Sequence, residues 1–208
     1  MNILFIGPQG SGKGTQVEML SKKLNIPYIS TGNIFRENIV NETELGKMAK
    51  KFINEGELVP DEVTNNIVED RLSKDDVKNG FIFDGYPRNL LQADFLDNVA
   101  KLDKVFEIYI SDKESIRRLA DRRSCKCGAV YHLKYNPPVK PGLCDKCGEK
   151  LFIREDDKEE KIKERLKIYH KETEKILNYY DKKGILITID GEQPIAKVHA
   201  DVMEKLEV

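Results

Sequence analysis

The sequence predicts a parallel, doubly wound α/β sheet of five strands, on three observations. Short apolar runs recur along the chain, segments with helical spacing separate them, and a glycine-rich loop directly follows the first run. Short strands that alternate with helices need crossover connections, and these lay helices on both faces of a parallel sheet. A chain of 208 residues suits one such core with embellishments.

The strand-like runs are residues 2–6, 28–30, 80–83, 105–110 and 184–189. Residues 16–24 carry Val17, Leu20 and Leu24 at helical spacing. Residues 61–72 start behind Pro60 with Asp61 and Glu62, acids placed where the first turn of a helix favours negative charge. Residues 158–181 read as one long charged helix, with Ile162, Leu166, Tyr169, Ile176 and Leu177 on or near one stripe. Two stretches interrupt the alternation. Residues 31–59 read as short helices without a strand between them. Residues 125–152 read as small hairpins and turns, rich in proline, glycine and cysteine. Both are expected to be insertions on the core.

Charges nearly cancel, 35 Lys+Arg against 36 Asp+Glu. This argues against a whole-surface grip on nucleic acid or on an anionic membrane. No apolar run approaches the ~20 residues of a membrane span. A strand-like run from residue 2 leaves no room for a signal peptide. The expectation is a soluble, cytoplasmic protein.

Chemistry enters with Gly7-Pro-Gln-Gly10-Ser11-Gly12-Lys13-Gly14-Thr15, between the first strand and the first helix. Glycines let successive backbone N–H groups converge on one anion, and the helix dipole adds positive potential there. Lys13 is placed to reach β- and γ-phosphates, and Thr15 supplies the hydroxyl, with Gly14 between them. An Asn-Lys-x-Asp base-reading motif is absent from the chain, which argues against a GTPase switch. Further on, Phe81-Ile-Phe-Asp84-Gly85-Tyr86-Pro87-Arg88 is a strand that ends in an acid, followed by a turn and an arginine. Ligands of α/β sheets bind at the carboxyl ends of strands. Asp84 is therefore expected beside the phosphate loop, organising Mg²⁺ and its waters, with Arg88 facing phosphates.

These motifs, with Ser30-Thr31-Gly-Asn-Ile-Phe-Arg36, Gly56-Glu57-Leu58-Val59-Pro60, Gln92, Arg122-Arg123, Arg154-Glu-Asp-Asp157 and Arg165-Leu-Lys-Ile-Tyr-His170, occur in an order that covers essentially the whole chain. In this the sequence resembles the adenylate kinases of the nucleoside monophosphate kinase family, in the long form with a zinc-type lid. Asn33 and Tyr86 depart from the Asp and Phe often found in relatives. The resemblance implies reversible transfer, MgATP + AMP ⇌ 2 ADP, with residues 1–29, 60–121 and 160–208 as the core, 30–59 binding AMP and 122–159 closing over ATP. It implies that Gly10 to Thr15, Arg118, Arg122, Val130, Tyr131 and Gln193 hold ATP. Thr31, Arg36, Glu57, Leu58, Val59, Gly85, Tyr86, Pro87, Arg88 and Gln92, with Arg154 and Arg165, would hold AMP, Gln92 reading the adenine edge. Lys13, Asp84, Arg88, Arg122, Arg154 and Arg165 would carry the catalysis.

The chemistry of the transfer agrees. Charge spreads over equatorial oxygens in the transition state, so positioning and fixed positive charge do the catalysis. The acceptor is already an anionic phosphate, so no general base is required. Arginine grips phosphate oxygens bidentately and keeps its charge. Asp156 and Asp157 read either as a metal pair or, by preference, as a hinge that holds lid arginines.

The cysteines form two pairs, Cys125-x-Cys127 and, sixteen residues on, Cys144-x-x-Cys147, each followed by a glycine. Such knuckles read as a structural Zn²⁺ site. The first pair is one residue short, so a ligand set that borrows His132 and a metal-free or disulfide lid stay open. Beyond the kinase reading stand a zinc-ribbon nucleic-acid-binding protein, a regulatory nucleotide binder without transfer activity, and a kinase with broader donor use. The expected partners are ATP, AMP and ADP, without nucleic acid or membrane, in a monomer or small homo-oligomer.

Overall fold

The computed structural model describes residues 1–206. In chain order the elements are β1 (Asn2–Ile6), α1 (Lys13–Leu24), β2 (Tyr28–Ser30), α2 (Thr31–Val40), α3 (Glu44–Glu55), α4 (Asp61–Leu72), β3 (Phe81–Asp84) and α5 (Leu90–Val99). Then follow β4 (Lys104–Tyr109), α6 (Asp112–Ala120), β5 (Arg122–Ser124), β6 (Val130–His132), α7 (Glu159–Ile168), α8 (Glu174–Lys182), β7 (Leu186–Asp190) and α9 (Ile195–Leu206). Five of the strands form one parallel sheet in the order β2-β3-β1-β4-β7, as expected. β1 lies at the centre, so the loop behind it opens where the strand order switches, the crevice that α/β sheets offer to ligands.

Burial on both faces explains why the strands read as continuous apolar runs. Along β1, Leu4 and Ile6 join a core with Phe83, Tyr86, Leu96 and Tyr180, while Ile3 and Phe5 face the opposite core with Val17, Leu20, Phe106 and Val202. The buried residues of both insertions form clusters of their own, with Ile34 alone of the first insertion packed against the sheet core. α2 and α3 pack against each other around Phe35, Ala49 and Val59. Ser30 and Thr43 cap them, accepting from the N–H groups of Asn33 and Gly46. The cysteine-bearing stretch holds the two-stranded antiparallel β5–β6 sheet and a tiny core of Cys125, Ala129, Tyr131 and Cys144.

The expected long helix is present, with one local irregularity. The long helix over 158–181 is α7 and α8 joined by a π turn at Tyr169–Thr173. The extra residue of that turn directs Thr173 inward, where its hydroxyl donates to the carbonyl of Arg88 at 2.9 Å. Among the described residues, no helix is long and apolar enough to cross a membrane.

Candidate active site

The loop after β1 leads into α1 without a side-chain cap, so the first-turn N–H groups of that helix stay available to a ligand. Two glycines are required there by geometry. A Cβ on Gly7 would lie 2.3 Å from the carbonyl oxygen of Ile108, and Gly12 has φ 92°, the left-handed turn that starts the helix. Lys13 curls back into the loop and donates to the carbonyls of Gly7 (2.7 Å) and Pro8 (2.8 Å) and to Ser11 Oγ (3.2 Å).

Around this loop opens a cleft of about 740 Å³. Gly10 to Thr15, Asp84, Pro87, Arg118, Arg122, Val130, Tyr131, Arg154 and Gln193 all line it. A smaller pocket of about 60 Å³ adjoins it, lined by Thr31, Glu57, Val59 and Gln92. Arg36, Leu58, Gly85, Arg88 and Arg165 line both, so three arginines stand at the junction. Tyr86 lines neither. Its side chain is fully buried in the sheet core, and its hydroxyl donates to Asn65 Oδ1 at 2.7 Å, tying α4 to the Asp84–Arg88 turn. The extra hydroxyl at this position thus has a partner of its own.

The electrostatics of the cleft are one-sided. Lys13, Arg36, Arg88, Arg122, Arg154 and Arg165 gather around Asp84, Asp156 and Asp157, while Glu18, Glu57 and Glu192 also stand on the lining. Burial pushes Lys13 down to about 8, with Arg88, Arg165 and Arg122 adding to the effect and Asp84 opposing it. Burial lowers Arg88 to about 10 and also lowers Arg36, Arg154 and Arg165, and neighbouring arginines reinforce each shift. These are cations held out of water beside other cations, a state that a polyanion relieves.

Carboxylates hold the arginines in place. Asp157 accepts from both arms of Arg122, Nε at 2.8 Å. Arg165 Nη1 reaches Asp156 Oδ2 at 2.9 Å, and Arg154 Nε donates to Ser124 Oγ at 2.7 Å. Burial works to raise the Asp156 carboxyl, but Arg165, Arg122 and Arg154 outweigh it and hold it low. Both acids are thus occupied as arginine partners. Asp84 accepts from the Tyr28 hydroxyl at 3.0 Å, and burial, together with Asp84, keeps that phenol protonated as a donor. The remaining lone pairs of Asp84 face the cleft and suit a hydrated divalent cation.

Gln92 is 2% exposed and doubly tethered. Its Oε1 accepts from the N–H of Arg88 at 2.8 Å, and its Nε2 donates to Asp61 Oδ1 at 2.6 Å. An amide offers two lone pairs and two N–H donors. One of each remains, side by side, for a ligand in the small pocket.

The four cysteines converge, with all sulfurs within 4.8 Å of one another. Cys125 Sγ lies 3.4 Å from Cys147 Sγ, and Cys127 Sγ 3.6 Å from Cys144 Sγ. Four thiolates around one Zn²⁺ at ~2.3 Å would stand ~3.8 Å apart, so the arrangement fits a tetrahedral centre, and all four cysteines are free. The short first pair still closes its turn, Gly128 N–H donating to the Cys125 carbonyl at 3.0 Å.

A family model described as Adenylate kinase matches residues 5–185. The chain belongs to the adenylate kinase family. Proteins named Adenylate kinase resemble it along their whole length. The one from Caldicellulosiruptor bescii is 50% identical, with 100% of each chain covered. That from Methanothrix thermoacetophila is 48% identical, covering 99% of this chain and 98% of its own. The Archaeoglobus fulgidus protein is 47% identical, covering 100% and 98%. Membership makes the chain a phosphotransferase and accounts for the phosphate loop, the arginine junction and a cysteine-bearing insertion.

One cleft residue that the sequence did not single out is Tyr135. Tyr135 places its ring 5.8 Å from the Arg118 guanidinium, and Arg118 is held by Glu114 at 2.6 Å and by the carbonyl of Gly191 at 2.9 Å. Together they make a slot fit for a flat ring. Tyr135 lies in the turn after β6, between His132 and its bridge partner Asn136, and nothing in the local sequence marks it as facing Arg118. Tyr131 lines the cleft, but its hydroxyl is taken by the cysteine cluster, 3.5 Å from Cys144 Sγ. His132 does not join the thiols: its Nδ1 accepts from the N–H groups of Lys134 and Tyr135, at 3.1 and 3.2 Å.

Proposed function

We propose that the protein catalyses MgATP + AMP ⇌ 2 ADP by enclosing both nucleotides and neutralising the phosphoryl group in flight. The observation that carries this is the junction: a polyphosphate loop and a small base pocket meet at Arg36, Arg88 and Arg165, which line both. Two nucleotides seated there would face each other phosphate to phosphate. Lys13 leaves its loop carbonyls to follow the transferred group, Arg36 and Arg88 hold the acceptor phosphate, and Arg122, Arg154 and Arg165 neutralise the transition state. No base is required, and water is excluded when the insertions 30–59 and 122–159 close.

Asp84 would hold the hydrated Mg²⁺ that ATP carries, and the ion would supply positive charge against the phosphates. Zn²⁺ on Cys125, Cys127, Cys144 and Cys147 would be structural, since four thiolates leave no open position. The partners are the nucleotides alone, in a cytoplasmic monomer or small homo-oligomer.

The spare N–H and lone pair of Gln92 match adenine, whose N1 accepts beside an N6 that donates. On the donor side, Gln193 is already committed to protein partners. The Gln193 amide gives its N–H groups to the Asp190 carbonyl and to Asp201, and the slot of Arg118 and Tyr135 offers faces rather than edges. Broader use of donor bases than of acceptor bases follows. A coupled assay with ATP, GTP, CTP and UTP against AMP, CMP, UMP and GMP tests both halves. AMP is expected to lead the acceptors by orders of magnitude, and another preferred acceptor would sink the assignment.

A proton count tests the electrostatics. With Lys13 at about 8 in the free cleft, much of it is neutral at pH 8.5, and a polyphosphate would draw it back to the charged form. Binding should therefore take up a proton fraction at pH 8.5 and weaken as pH rises further, whereas at pH 6.5 Lys13 is charged in both states and contributes nothing. Titration calorimetry in two buffers of different ionisation enthalpy reads this directly. Proton release at pH 8.5 would contradict it.

A further inference from the structure

A glutamine amide can turn by half a rotation about its last bond and exchange its oxygen for its nitrogen. For base reading this matters, because the two orientations recognise different purines. Adenine presents a donor at N6 beside an acceptor at N1. A 6-oxopurine presents the reverse, an acceptor at O6 beside a donor at N1. A freely turning Gln92 would accommodate either and discriminate between neither.

Gln92 cannot turn freely. Asp61 stands at the start of α4, 31 residues away in sequence, and its Oδ1 accepts from Gln92 Nε2 at 2.6 Å. A carboxylate has no proton to give, so a turned amide would set oxygen against oxygen at 2.6 Å. On the other side the Arg88 N–H, which can only donate, would meet the NH₂ group in place of Oε1. Asp61 is itself fixed, accepting from Asn89 Nδ2 at 2.9 and 3.1 Å. Asn89 is fixed in turn as the cap of α5, its Oδ1 accepting the N–H of Gln92 at 2.9 Å. The ring of contacts closes on the residue it orients. Asp61 does not line the small pocket and so reaches a ligand only through Gln92.

We infer that Asp61 is the positioning residue for acceptor specificity: it locks the Gln92 amide in the sense that fits a 6-aminopurine monophosphate and rejects a 6-oxopurine monophosphate. This rests on the small pocket being the acceptor site. Asp61→Asn is the test, because it keeps shape while supplying an N–H that a turned Gln92 can accept, removing one of the two mismatches. An unsatisfied buried polar contact is worth about a factor of ten or more. The ratio of kcat/KM for inosine monophosphate to that for AMP should therefore rise about tenfold or more in Asp61→Asn. The KM for ATP should hold, and Asp61→Glu, which still has no donor, should keep the ratio of the unsubstituted protein closer than Asn does.

A variant that loses activity equally toward both acceptors, or leaves the ratio unmoved, overturns the inference. The unsubstituted protein supplies a measurement that needs no variant. The Gln92 side-chain NH₂ group should show one proton shifted downfield by the carboxylate and protected from exchange, and two protons at ordinary amide shifts that exchange freely with water would overturn the lock. Failure of the acceptor reading itself would appear earlier, as an unsubstituted protein that does not prefer AMP.

Discussion

Replacing Lys13 by methionine is expected to cut turnover by about 10³-fold or more while leaving the folded protein at least as stable at pH 7. The two halves have one cause. Lys13 is buried among Arg88, Arg165 and Arg122, and burial, with those arginines, depresses its titration to about 8, because the cleft tolerates its charge poorly. Folding must hold a proton there that the unfolded chain holds more easily. A group of this kind costs stability below pH 8, and the cost fades as pH rises from about 8 toward the ordinary lysine value. A neutral side chain of similar length removes that cost, offset in part by the lost hydrogen bonds to Gly7, Pro8 and Ser11. On the proposed mechanism, catalysis loses the loop's one cation, Lys13, which would travel with the phosphoryl group. Removing one preorganised donor from a developing oxyanion costs ~10²–10³, and a mobile full charge lies at or above the top of that range. Thermal midpoint and coupled turnover, measured on one preparation, separate the two effects. Near-normal turnover in Lys13→Met would refute the mechanism, and a collapse in stability would refute the electrostatic account of the cleft.

What the sequence revealed of this site was whatever sits in contiguous motifs. The phosphate loop, Asp84 with Arg88, and the cysteine pairs are local patterns, and the five strands announced themselves by being apolar on both faces. What stayed hidden depends on partners far apart in the chain. Asp61 reads as a first-turn acid, which it is, but its contact with Gln92 needs α4 and α5 packed side by side. Tyr86 reads as an odd residue in a binding motif until Asn65 is found opposite its hydroxyl. The π turn at Tyr169–Thr173 has neither glycine nor proline to mark it, and the apolar stripe of the long helix runs through it with little disturbance. Only the bond from Thr173 to the Arg88 carbonyl shows its consequence. Asp156 and Asp157 were legible in the sequence as acids that hold lid arginines, though not which arginines. Their work as clamps on Arg122 and Arg165 required the β5–β6 insertion to fold back on α7.

Stripping the Zn²⁺ proposed for the four cysteines should unfold the cysteine-bearing insertion while the five-strand core survives. Its apolar core is Cys125, Ala129, Tyr131 and Cys144 with Leu151 against them, and its sheet is two strands of three residues. So few buried groups cannot offset the ordering of some thirty residues at ~1–2 kcal/mol each. Zn²⁺ bound by cysteines supplies ~10–16 kcal/mol in isolated fingers, enough to change the sign of that balance. Chelation should therefore produce a new low-temperature transition. It should also abolish hydrogen-exchange protection at the N–H groups of Cys125 and Cys144, now bonded to the carbonyls of Ala129 and Glu149, without loosening β1 or β4. Turnover should fall with it, because Arg122 lies on β5 and Arg154 is held to Ser124 of the same strand, so two of the phosphate clamps go with the insertion. Adding Zn²⁺ back should restore protection and turnover together, at one ion per chain. A metal-free preparation that kept its thermal midpoint and the protection of Cys125 and Cys144 would show that the four sulfurs meet for some reason other than a structural ion.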